Sequence, residues 1–122
     1  MIGYVTLGSN DLARAAAFYD ALLGELGASR FMENERMIVW GAQPGQPMVA
    51  VCTPWDRNTA TPGNGAMVAL DVGTRDNVHR IHGKALELGG TSEGDPGERM
   101  QGFYGGYFRD LDGNKLVAFT MG

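Results

Sequence analysis

The sequence predicts an α+β fold made of two βαβββ modules, and two observations carry that prediction. The first is an internal repeat. Tyr4-Val5-Thr6-Leu7 aligns with Met67-Val68-Ala69-Leu70, and Leu26-Gly27 with Leu88-Gly89. Val39-Trp40 aligns with Tyr107-Phe108, and Met48-Val49-Ala50-Val51 with Leu116-Val117-Ala118-Phe119. The second is the order of hydrophobic periods within each copy: one alternating run, then an apolar stripe at three- and four-residue spacing, then further short runs. Duplication of this kind implies two similar modules related by pseudo-twofold symmetry. Residues 1–53 form module one, 54–65 a Pro/Gly/Thr-rich linker, and 66–122 module two, all in a single domain.

Each element has a local reason. Gly3 to Leu7 alternates and is rich in β-branched and aromatic residues, which favours a strand. Ser9, Asn10 and Asp11 then offer caps for a helix through Leu12 to Leu26. Its apolar residues Leu12, Ala15, Ala16, Phe18, Tyr19, Leu22, Leu23 and Leu26 recur on one face, and Gly27 stops it. Ser29 to Met32, Arg36 to Trp40 and Met48 to Cys52 complete the first meander. In the second copy Ala66 to Val72 is a strand, and Thr74 caps a helix through Leu88. Thr91 to Glu93 is a weak strand, and Gly94 to Gly102 reads as an irregular loop. Phe103 to Arg109 and Lys115 to Thr120 form the closing hairpin. In its turn Asp110 is placed to accept from turn amides, and Gly113 suits a left-handed backbone.

Composition excludes several classes of function. Apolar residues are 43% and charged residues 20%, as in a globular domain. A net charge of -4 and a pI near 5.0 give no electrostatic case for nucleic acid or an anionic membrane as partner. No run approaches the length of a membrane span, and the opening residues lack the pattern of a signal peptide. With Cys52 as the single cysteine no internal disulfide is possible, so a cytoplasmic location is expected. No GxGxxG after a strand, GxxxxGK[ST], HExxH, CxxC or GxSxG is present.

The stretches "YVTLGSNDLARAAAFYDALLGELG" and "YFRDLDGNKLVAF" resemble the vicinal oxygen chelate superfamily of glyoxalase, bleomycin-resistance and ring-cleaving dioxygenase proteins. The resemblance spans nearly the whole chain; Leu111 stands where proline is usual in the family's closing turn. It implies that the curled sheets of the two modules form a cup, and that two chains pair as a homodimer. It also places the metal ligands of metal-dependent members, which are His, Gln or Glu, at Tyr4, Val49, Met67 and Val117. Valine has no donor, methionine is a soft thioether, and a phenol titrates near ~10 and seldom replaces histidine. The expectation is therefore a branch with no metal and no cofactor.

Strand alternation, anchored by pairing Asp110 with Asn114 and hence Tyr107 with Val117, predicts a cup lining. It comprises Tyr4, Thr6, Val49, Val51, Met67, Ala69, Tyr107, Val117 and Phe119. Phe108, Leu116, Trp40 and Cys52 then belong to the strand–helix core. Arg99 and Tyr104, in the segment before the Tyr107 strand, are the candidates for a ligand carboxylate or hydroxyl, because arginine offers a bidentate fork. His79 and His82 are read as solvated or capping helix residues, and Glu93, Asp95 and Glu98 as solvated surface. Three functions remain open on these residues. One is a binding protein for a small hydrophobic or aromatic molecule. Another is an enzyme using Tyr4 or Tyr107 as acid with Arg99 as oxyanion stabiliser. The third is a dimeric interaction module whose cup is filled.

Overall fold

The computed structural model describes residues 1–122. It contains two compact units, Met1–Pro62 and Gly63–Gly122, each a four-stranded sheet with one helix. No helix is long and apolar enough to cross a membrane.

In the first unit β1 (Tyr4–Gly8), α1 (Leu12–Gly24), β2 (Ser29–Glu33), β3 (Met37–Gly41) and β4 (Met48–Cys52) give the sheet order β1-β4-β3-β2. The β1–β4 pair is parallel and the others antiparallel. Asp11 is the cap of α1, its carboxylate accepting from the Arg14 amide at 3.1 Å. The helix closes near Glu25, and Gly27 then turns the chain with φ of 80°. Phe18, Tyr19, Leu22 and Leu23 of α1 are buried together with Ile38, Trp40 and Val51 of the sheet. The Tyr19 and Trp40 rings lie 5.7 Å apart.

In the second unit β5 (Val68–Asp71), α2 (Arg75–Glu87), β6 (Thr91–Met100), β7 (Phe103–Arg109) and β8 (Lys115–Met121) repeat the plan in the order β5-β8-β7-β6. Thr74 caps α2 through the Asn77 amide at 3.1 Å. The segment expected to be an irregular loop is instead the long edge strand β6. Its ladder to β7 slips between Ser92 and Gly94, between Gly94 and Gly97, and between Glu98 and Met100. The slips absorb Gly94, Pro96 and Gly97, which is how an edge strand tolerates residues that a regular ladder excludes.

The β7–β8 hairpin has the expected register, with Tyr107 opposite Val117 and Phe108 opposite Leu116. Asp110 organises its turn: one carboxylate oxygen accepts from the Asp112 and Asn114 amides, both at 2.9 Å. The other accepts from the Asn114 side chain at 3.0 Å, and Gly113 has φ of 87°.

The first hairpin departs from expectation. Trp40 pairs with Val49, whereas its counterpart Phe108 pairs with Leu116. The β3–β4 connection is thus one residue longer than β7–β8, and the structural counterpart of Val117 is Ala50 rather than Val49. The parallel ladders agree, since Thr6 pairs with Ala50 and Ala69 with Val117. A one-residue shift moves every side chain to the other face of a strand. Val49 and Val51 therefore share the helix-covered face with Trp40 and Ile38 and do not line the opposite face. Cys52 moves the other way, out of the strand–helix core and onto the face of Thr6 and Ala50.

Candidate ligand-binding face

In the second unit the face turned away from α2 carries Ala69 from β5, then Lys115, Val117 and Phe119 from β8. From β7 it carries Phe103, Gly105 and Tyr107. Val117 has no exposed surface and is a floor. A Cβ at Gly105 would lie 3.1 Å from Val117 Cγ2 and 3.0 Å from Phe103 Cε1, so only glycine leaves room there. Across that gap the Phe103 and Phe119 rings stack nearly parallel, 5.1 Å between centroids. Tyr107 and Phe119 are half-buried and Ala69 is exposed. Met67 lies just before β5 and is 45% exposed.

Charge gathers on Tyr107. The Arg99 guanidinium, from β6, and the Lys115 ammonium, from β8, each lie 5.4 Å from the centre of its ring. A cation held against a π face at that range is attracted by the ring quadrupole. Arg99 also donates to the Asp95 carbonyl oxygen. Gly94 and Gly97 leave space for it, because a Cβ at either would approach its guanidinium within 3.1 and 2.8 Å respectively.

Tyr104, expected beside Arg99, is placed elsewhere. It lies within β7 on the helix side, one residue out of phase with Tyr107. Its hydroxyl meets His79 Nε2 at 2.6 Å, and the Arg75 guanidinium lies 4.5 Å from its ring. Tyr104 belongs to the strand expected over Phe103–Arg109, and alternation from Tyr107 by itself puts the two tyrosines on opposite faces.

His82 is also not a solvated helix residue; it is 4% exposed between α2, β6 and β7. Its Nε2 lies 3.1 Å from the Tyr107 carbonyl oxygen and 3.2 Å from Ser92 Oγ, and Ser92 donates to Asp95 at 2.9 Å. A carbonyl can only accept, so Nε2 carries the proton and cannot take one from Ser92. The Ser–His contact is a structural bond and not an activated nucleophile. Gly106 is a close-approach position, since a Cβ would sit 3.0 Å from the His82 ring.

Burial lowers the His82 pKa below 6.5, against the Tyr107 carbonyl and Asp95, which favour the charged ring; His79 and Arg99 add to the lowering. The unfolded chain then binds the proton at higher pH than the folded one. Stability is full above about pH 6.5 and falls as the pH drops from there through the folded-state pKa. Urea midpoints measured from about pH 8 to about pH 5 are expected to fall in that interval. His82→Gln should flatten this part of the profile, and an unchanged slope in that variant would contradict the assignment.

In the first unit the face turned away from α1 carries Tyr4, Thr6, Met37, Val39, Met48, Ala50 and Cys52. Tyr4 is 55% exposed, whereas Val39 and Ala50 are buried. The one-residue shift of β4 brings Met48 and Cys52 onto this face, whereas Met37 is there by alternation with Trp40 alone. On the other side of this unit a groove of about 490 Å³ runs along α1, lined by Leu12, Ala13, Ala16, Ala17, Asp20, Arg30, Glu35 and Ile38. It holds no aromatic side chain. Arg30 there is bound to Asp20 at 2.8 Å, which leaves that cation no charge to offer a ligand. The groove is a weaker candidate than the face around Tyr107, which is aromatic and carries cations without carboxylate partners.

The sequence profile of the Glyoxalase/Bleomycin resistance protein/Dioxygenase superfamily matches residues 1–118. The chain belongs to this superfamily. A glyoxalase/bleomycin resistance protein from Albidiferax ferrireducens superposes with a TM-score of 0.88 at 33% identity, covering 98% of this chain and 97% of the other. A hypothetical protein from S. aureus gives 0.74 at 28% identity, over 98% and 92%. A lactoylglutathione lyase from Agrobacterium tumefaciens gives 0.72 at 18% identity, over 98% and 92%, a likeness of fold alone. No curated protein matches the chain.

The metal of metal-dependent superfamily members can be tested against the residues present. With the register corrected, the strand positions concerned are Tyr4 and Ala50 in the first unit and Met67 and Val117 in the second. Alanine and valine offer no donor, and methionine suits only soft ions. No group of three His, Cys, Asp or Glu side chains stands close enough to hold a metal ion. This donor set does not fit a catalytic divalent ion.

Proposed function

We propose that this superfamily member is a small-molecule binding protein whose ligand, aromatic or otherwise flat and apolar, rests on the face around Tyr107 without a catalytic metal centre. The observation that carries the reading is the makeup of that face. A half-buried phenol and a stacked Phe103–Phe119 pair stand over a valine floor, where metal-dependent relatives require a carboxylate. Aromatic side chains supply apolar area with little loss of rotamer freedom, which suits the capture of planar ligands.

Acid–base catalysis by Tyr107 or Tyr4 has less support. The basic groups closest to Tyr107 are cations lying against its ring, and the nearest histidine bonds its backbone. The reading is tested by titrating chelator-treated protein with a panel of bicyclic aromatic compounds and following ligand fluorescence. Saturable binding is expected, with Tyr107→Ala weakening it by about tenfold. A panel with no saturable binder, or a Tyr107→Ala variant that binds as well as the parent, would count against it.

A further inference from the structure

Three cations of the second unit are neutralised in place. Arg75 pairs with Glu98 at 3.4 Å, Lys84 with Glu87 at 3.5 Å, and Arg109 with Glu93 at 3.0 Å. Arg99 and Lys115 differ: neither has a carboxylate within ion-pair distance. Glu98, next to Arg99 in the chain, is taken by Arg75, while Asp95 accepts a hydrogen bond from Ser92 through its carboxylate and gives Arg99 its backbone oxygen. Glu93 accepts from Arg109. Lys115 has no hydrogen-bond acceptor at all from the protein, although it is half-buried.

Resting on the binding reading above, we propose that Arg99 and Lys115 form an anion clamp on either flank of Tyr107, and that the ligand is an aromatic acid bearing a carboxylate. The two cations come from strands on opposite sides of β7 and converge on one ring, each 5.4 Å from its centre. Two like charges held near one another repel, and in a chain of net charge -4 nothing in the acidic surroundings has been used to cancel them. An arriving carboxylate supplies the missing counter-charge. Arg99 has four guanidinium N–H groups beyond the one given to Asp95, and the Lys115 ammonium has three donors. The geometry suits a ligand whose flat apolar body covers Phe119 and Ala69 while its carboxylate reaches the edge of Tyr107.

The test compares two probes of one shape, 2-naphthoate and 2-naphthamide, on the parent protein and on Arg99→Met and Lys115→Met. The parent is expected to prefer the carboxylate by about tenfold, and the preference should shrink as salt rises. Each methionine variant should lose most of that preference while still binding the amide saturably, which a folding defect would not produce. Arg99→Lys should retain part of it. If the parent binds both probes equally, the clamp is wrong and the binding reading stands. If neither probe binds, both are wrong.

Discussion

Asp110→Ala should lower stability by about 3–5 kcal/mol, because several buried groups lose one acceptor together. The carboxylate is 6% exposed and takes two backbone amides and the Asn114 side chain, itself 3% exposed. Removal leaves those donors facing protein rather than water. Asp110→Asn should recover only part of the loss, since its one oxygen can still accept from both backbone amides while its NH2 group faces the Asn114 side-chain donor. The same turn sets the β7–β8 register, so the variant should also disturb the face around Tyr107. Urea unfolding followed by far-UV circular dichroism measures the effect. A loss under about 1 kcal/mol would show that the turn is held by other contacts.

Trp40→Ala is expected to cost a similar amount, about 3–5 kcal/mol, by the loss of a large side chain from a packed core. Trp40 is 1% exposed, packs on Tyr19, and donates through Nε1 to Asp20 at 2.8 Å. Trp40→Phe keeps most of the volume and gives up that bond, for about 1 kcal/mol. Fluorescence separates the two tryptophans, since Trp55 is 83% exposed. Trp40→Phe should leave only the red-shifted emission of an indole in water, and a remaining blue-shifted component would contradict the placement. Arg30, and after it Trp40, hold Asp20 below its ordinary 3.8. Their contribution is full above pH 3.8 and is lost as pH falls through the lowered value.

Much of the second unit was legible in its residues. The sequence DLDGN demands a tight turn with a carboxylate on its amides, and once Asp110 and Asn114 pair, alternation places Tyr107 and Val117 on one face. The first unit was harder. The runs MVAV and LVAF look alike, and no residue in the connection 42–47 declares how many positions it spans. The ladder from Trp40 to Val49 settles this, and with it the faces of Val49, Val51 and Cys52. The edge strand β6 is hard to see for another reason: Gly94, Pro96 and Gly97 disguise a strand that survives by slipping its register, whereas the face of Tyr104 follows from alternation along Phe103–Arg109. The isolation of Arg99 and Lys115 from carboxylates has no sequence signature, because acidic residues lie all around them in the chain and only their pairing elsewhere leaves the two cations unmatched.

The most direct measurement is the dissociation constant of one aromatic ligand, taken on the same preparation after exhaustive chelation and again after reloading with zinc, nickel or manganese. Binding on the Tyr107 face should be the same in both states to within about twofold, and should fall in Tyr107→Ala whichever state is used. Binding that appears only when stoichiometric metal is retained, and that survives Tyr107→Ala, would contradict it.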